Sequence, residues 1–114
     1  MMTVDKVFEA LSSPPRRQIL ADLSKADMTA GQVVETLADA MTAPAVSKHL
    51  SILENAGLVR RERRGQNVNY GLRRDTLANT LFEFLSAFEP AAKPDGADSA
   101  LERIRRNMLS GRGL

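Results

Sequence analysis

Cysteine is absent from the 114 residues, and histidine occurs once, at His49. The first absence excludes a disulfide framework, a thiol switch and any thiolate metal site; a single imidazole makes a poor metal centre. No apolar run approaches the roughly 20 residues needed to span a bilayer. The opening MMTVDKVFEA has neither the basic start nor the apolar segment of a signal peptide. A cytoplasmic protein with no membrane partner is therefore expected. Internal repeats, low-complexity tracts and a glycine-rich phosphate loop are also missing. Without a cysteine nucleophile, and with one histidine, the chain lacks the constellation an enzyme needs, so no catalytic residue and no cofactor is expected.

What is present is enough for a core. Hydrophobic residues make up 43% of the chain and charged residues 26%, the balance of a globular protein, and the length suits one compact domain. The net charge of +2 says little, but its distribution is uneven. Residues 1–41 carry 4 basic and 6 acidic side chains, residues 42–74 carry 7 and 2, and residues 75–114 carry 5 and 6. A central basic block between mildly acidic flanks is the electrostatic footprint of a site for a polyanion. Taken alone, it would also fit an ordinary solvated face.

The hydrophobic period organises the chain. Val4, Val7, Phe8 and Leu11 recur at helical spacing and stop at Ser12-Ser13-Pro14-Pro15, where proline ends one helix and suits the first turn of the next. A second helix is expected over 14–24 around Ile19, Leu20 and Leu23. A third is expected from Thr29 to about Ala40 around Val33, Val34 and Leu37. The fourth has Thr42 as N-cap, Pro44 in its first turn, an inner stripe of Val46, Leu50 and Leu53, and an exit at Asn55-Ala56-Gly57. From Leu58 to Leu72 the pattern alternates about a turn at Arg64-Gly65-Gln66, which reads as a β-hairpin. A fifth helix runs from about Arg74 to Phe88. Pro90 to Gly96 reads as a linker, and Ser99 with Glu102 as a capping box for a short last helix bearing Leu101, Ile104 and Met108. The expected fold is mainly α with a small β-hairpin, in the order α-α-α-α-β-β-α. The domain is placed at 1–89 and the tail at 90–114.

Helix, short turn, helix and basic hairpin is the order of a winged helix-turn-helix, whose second helix of the pair enters the major groove of double-stranded DNA. If Val46, Leu50 and Leu53 face inward, Thr42, Ala43, Ser47, Lys48 and Ser51 face outward. Small side chains permit close approach, hydroxyls bond bases or phosphates, and Lys48 reaches guanine or phosphate. Ala45, in the first turn, is placed in the same contact set. On the wing, Arg60, Arg61, Arg63 and Arg64 suit phosphates or the minor groove, with Gln66 and Asn67 near the tip as hydrogen-bonding residues. Arg16 and Arg17 fit a solvated helix start and a phosphate contact about equally. His49, at the margin of the buried stripe, reads as a packed or phosphate-contacting residue rather than a ligand. The competing reading is a winged-helix module that binds protein and not DNA, for which Ile52 is the sole candidate anchor.

FEALSSPPRRQILADL followed by APAVSKHLSILENAGLVRRERRGQNVNYGL resembles the ArsR/SmtB superfamily of bacterial repressors, over about Val4 to Phe88. The resemblance implies an N-terminal dimer helix, a recognition helix with a Ser-basic-His-Leu core, and a wing ending in a tyrosine. It departs from metal-sensing relatives, which place a cysteine pair in the third helix or histidines and carboxylates in the last. Here those stretches are Gln32-Val33-Val34-Glu35 and Thr76 to Phe88, with no ligand set, so a branch that does not sense metals is expected and the residues name no effector. The fifth helix carries more apolar surface than a small core absorbs. Leu77, Leu81, Leu85 and Phe88, flanked by Phe82 and Phe84, together with Val4, Val7 and Phe8, are the expected homodimer interface. A two-fold dimer on a palindromic operator follows.

Overall fold

The computed structural model describes residues 2–88 together with 104, 106 and 107. Its elements are α1 (Met2–Leu11), α2 (Pro14–Leu23), β1 (Met28–Thr29), α3 (Ala30–Thr36), α4 (Ala43–Asn55), β2 (Val59–Arg64), β3 (Asn67–Leu72) and α5 (Arg74–Ser86). They fall into two compact units, one ending at Arg73 and the other beginning at Arg74. The expected linker and the capping box of Ser99 and Glu102 lie outside the described residues; Ile104 is helical.

In the first unit, α2, α3 and α4 each start where a side chain takes up a free backbone N–H. The Ser13 hydroxyl accepts from the Arg16 amide ahead of two prolines, and Thr42 does the same for Ala45. Thr29 and Gln32 form a reciprocal capping box at α3. That helix stops at Thr36, short of the expected Ala40. Leu37 leaves helical geometry, and tight turns carry the chain to Met41. The helical spacing of Val33, Val34 and Leu37 does not distinguish a last helical turn from the turn that follows it.

α4 ends in a complete Schellman motif. The Leu58 amide donates to the Leu53 carbonyl at 3.0 Å and the Gly57 amide to Glu54 at 2.9 Å. Gly57 sits at φ 78°, the left-handed conformation that glycine adopts without cost. Leu53 and Leu58, the apolar pair of the motif, are both fully buried. The exit from the helix is thus locked to the start of β2.

The expected hairpin gains a third strand. β3 lies between β2 and the two-residue β1, which pairs Met28 with Tyr70 and Thr29 with Asn69. Two residues are too few for an alternation to show in the sequence. The turn between β2 and β3 is Gly65-Gln66, with Arg64 and Asn67 still paired, and Gly65 at φ 60° with Gln66 negative is the type II′ arrangement. α1 packs on α2 and α4, α2 and α3 pack on β3, and α4 packs on β2. Ile19, Val33, Val46, Leu50, Leu53, Leu58 and Val59 fill the space between them.

Val7 belongs to this core, at 0% exposure, and this corrects its place in the expected dimer face. A side chain fully enclosed by its own chain offers no surface to a second one. Val4 is half-buried, and Phe8 is exposed. In the second unit, α5 buries Ala78 and Thr80, leaves Leu77, Leu81 and Phe82 half-buried, and exposes Phe84 and Leu85; Phe88, in the turn just after it, is exposed too. The Phe84 and Phe88 rings meet edge to face at 5.2 Å.

Candidate nucleic-acid interface

With Val46, Leu50 and Leu53 buried, α4 turns Thr42, Ala43, Ser47, Lys48 and Ser51 to solvent. Ala45 is half-buried, and so is Ile52. No large apolar side chain of α4 is exposed. The outward face of the helix is therefore small, hydroxylic and cationic, the composition that can approach base edges and phosphates together.

The wing is less uniform than its arginine count suggests. Strand alternation and the register place Arg61 opposite Tyr70 and Arg63 opposite Val68, on the sheet face whose root, Val59 and Tyr70, is buried beneath the helices. Arg60, Glu62 and Arg64 lie on the other face, opposite Gly71, Asn69 and Asn67. Both arginines of that second face have carboxylate partners. Arg60 bonds Asp27 at 2.9 Å, its guanidinium lying over Gly71, where no side chain stands in the way. Arg64 bonds Glu62 at 3.0 Å.

Arg61 and Arg63 have no ion pair among the described residues; Arg63 donates only to the Gly65 carbonyl, at 3.4 Å. Such exposed pairs contribute about 0–1 kcal/mol, so a phosphate can displace Glu62 from Arg64, but the repulsion of the nearby carboxylate remains. The wing thus offers its uncompensated charge on one face only, with Gln66 and Asn67 exposed at the tip. The alternation Arg61-Glu62-Arg63-Arg64 held this signal: Glu62 and Arg64, two apart on a strand, share a face.

Arg16 is neither solvated nor free for phosphate, which corrects both readings of that residue, whereas Arg17 stays exposed. Arg16 is buried, and its Nε and Nη2 donate to the carbonyls of Ala10 at 2.8 Å and Glu9 at 3.0 Å. Arg17 donates to Leu11 at 2.6 Å. Together they satisfy the free carbonyls and the partial negative charge at the C-terminal end of α1. The third arm of Arg16, Nη1, lies 3.0 Å from His49 Nδ1. Burial, then the charges of Arg16 and Lys48, hold the His49 pKa below its ordinary value.

Among the described residues no group of three or more histidine, cysteine, aspartate or glutamate side chains is arranged to hold a metal, and no helix is long and apolar enough to cross a membrane.

The sequence matches the helix-turn-helix domain family over residues 11–62, the span from the end of α1 to the middle of β2. It is 37% identical over 78 residues to the transcriptional repressor SdpR of Bacillus subtilis (strain 168), covering 68% of this chain and 84% of that protein. The fold superposes on an ArsR-like transcriptional regulator from Rhodococcus sp. RHA1 with a TM-score of 0.61 and 31% identity, over 76% of this chain and 82% of that one. NolR from Sinorhizobium fredii superposes with a TM-score of 0.60 and 28% identity, over 80% and 88% of the two chains. Together with the polar face of α4 and the basic wing beside it, these likenesses establish that the chain belongs to the ArsR/SmtB family and is a DNA-binding transcription regulator rather than an enzyme.

Proposed function

We propose that the protein is a cytoplasmic repressor that binds a palindromic operator as a homodimer, reading bases with α4 and gripping phosphates with one face of the wing. The observation that carries this is the coincidence of Thr42, Ala43, Ser47, Lys48 and Ser51 on the open face of α4 with unpaired Arg61 and Arg63 on the helix side of the sheet. Repression is carried over from SdpR. A protein-binding use of α4 is disfavoured, since its one candidate anchor, Ile52, is half-buried. The likeness to the Rhodococcus regulator spans 76% of the 114 residues, about 87, and so extends past Arg73. This supports one functional domain over 1–89.

The dimer rests on exposed Phe84, Leu85 and Phe88, with Leu77 and Leu81 half-buried beside them, and on Phe8 and Val4 of α1. A two-fold pair would set two recognition helices about 34–36 Å apart, one turn of B-DNA. Regulation is assigned to a signal other than a transition metal, because the chain lacks cysteine and its only histidine spends Nδ1 on Arg16.

Duplexes selected from a random pool by the purified protein supply the operator for three measurements. Wild-type affinity should fall steeply with salt, each neutralised phosphate adding about −0.9 to the log–log slope. Arg61→Ala or Arg63→Ala should make that slope shallower by about 0.9 for each phosphate no longer neutralised, and Arg64→Ala by less. Glu62→Gln, which releases Arg64, should tighten binding to every duplex. A flat salt dependence, or Arg64→Ala as the most damaging change, would contradict this wing. Sedimentation should show a dimer at micromolar concentration and Leu85→Glu a folded monomer; a monomeric wild type would refute the interface. Stoichiometric zinc should leave operator affinity unchanged, and zinc-driven release reversed by a chelator would overturn the non-metal assignment.

A further inference from the structure

The bond between Arg16 and His49 is the one polar side-chain link between α2 and α4 among the described residues. Arg16 is the first residue after the prolines that open α2, and it is 8% exposed. Its backbone is held as well, since its amide donates to the Ser13 hydroxyl. A guanidinium has five N–H donors and no acceptor. Two of its nitrogens are committed to Ala10 and Glu9, so the direction of the remaining arm is set by the end of α1. That arm meets His49 at the seventh position of α4, one residue from Lys48 and two from Ser47 and Ser51.

Because arginine can only donate, Nδ1 must accept. The imidazole is then neutral with its proton on Nε2, which has no protein partner among the described residues and is open to solvent. Leu50 and Val46 fix the depth and rotation of α4 by packing, but apolar surfaces tolerate small sliding. A planar donor with two further anchors does not, and hydrogen bonds to phosphates and bases fail over displacements of about an ångström.

We propose that Arg16 is a positioning residue for DNA recognition: anchored on the last carbonyls of α1, it holds α4 in register for the groove through His49. The inference rests on α4 being the helix that reads DNA. It makes the link sensitive to acid. An imidazolium cannot accept from a guanidinium and places a second cation 3.0 Å from it. The charges acting on the ring are Arg16 from α2 and Lys48 from α4; among the described residues no carboxylate of α1, α3 or β2 acts on it.

With its pKa depressed in the folded chain, His49 is fully linked above the unfolded value of about 6.5 and loses the link as pH falls through the lower folded value. A histidine that merely lay near DNA would do the reverse, since each added positive charge tightens binding to a polyanion.

The test measures operator affinity between pH 7.5 and pH 5.0 at constant salt, with the folded fraction followed by circular dichroism and the single imidazole by ¹⁵N NMR. Wild-type affinity should fall roughly tenfold as the imidazole protonates, the equivalent of one charge-assisted hydrogen bond. His49→Asn, which keeps an acceptor at the Nδ1 position and cannot protonate, should bind as wild type at pH 7.5 and show no pH dependence. His49→Leu should bind weakly at both ends of the range while keeping its melting temperature.

Affinity that holds or rises while the imidazole titrates, or a folded His49→Leu that binds as wild type at pH 7.5, overturns the proposal. Weak binding by His49→Leu that only follows a fall in stability overturns it too. Lys48→Ala separates the two levels. If it leaves affinity unchanged, α4 is not the reading helix and the proposal falls with that premise; if it weakens binding while the His49 variants do not, only the positioning role is refuted.

Discussion

The rotation of α4 about its own axis is set by three side chains, Val46, Leu50 and Leu53, none more than 2% exposed. Burying each is favourable by about 1.5–3 kcal/mol, so turning the helix by one residue towards Ser47 would cost several kilocalories per mole and carry Ser47, Ser51 and Glu54 into the core. Every feature of the interface follows from that rotation. The residues left outside are those with small, hydroxylic or cationic side chains. The helix also ends at a fixed point, because the Schellman turn at Gly57 buries Leu58 against Leu53 and starts β2 there. The wing thereby inherits its position from the packing of the helix before it.

Charge acts on top of this frame as a selective filter. Six lysine and arginine residues fall in the stretch from Thr42 to Arg73, yet the structure removes Arg60 into a pair with Asp27 and sets Glu62 against Arg64. These exposed pairs add little stability. Their effect is on where positive potential is left uncompensated, namely at Lys48, Arg61, Arg63 and Arg73. Arginine is used differently at the other end of the fold, where Arg16 and Arg17 close the open carbonyls of α1. One residue type thus serves as a helix cap, an intramolecular counter-ion and a free cation in a single small unit.

Periodicity made the helices and the hairpin legible, because each buries one stripe or one face and the spacing of apolar residues records it. The short strand β1 was not, since two residues hold no period, and the early end of α3 was not, since Leu37 is buried whether or not the backbone stays helical. The exposed face of α4 followed directly from its inner stripe. The pairing of Glu62 with Arg64 was in the sequence as a same-face spacing, but the reach of Arg60 to Asp27 and of Arg16 to His49 spans 33 residues in each case and depends on the assembled fold. Val7 shows the converse limit: an apolar residue on a helix can belong to the core or to an interface, and spacing alone does not choose.

In the proposed complex, DNA meets one connected surface made of the outer face of α4 and the helix-side face of the wing. Titrating the ¹⁵N-labelled protein with its selected duplex and recording amide and arginine side-chain shifts tests it directly. The largest perturbations are expected at Thr42, Ser47, Lys48 and Ser51 and at the Arg61 and Arg63 guanidinium groups, with Arg60 little changed. Perturbations centred on Arg60 or on the Phe84 to Phe88 stretch, with α4 unmoved, would contradict it.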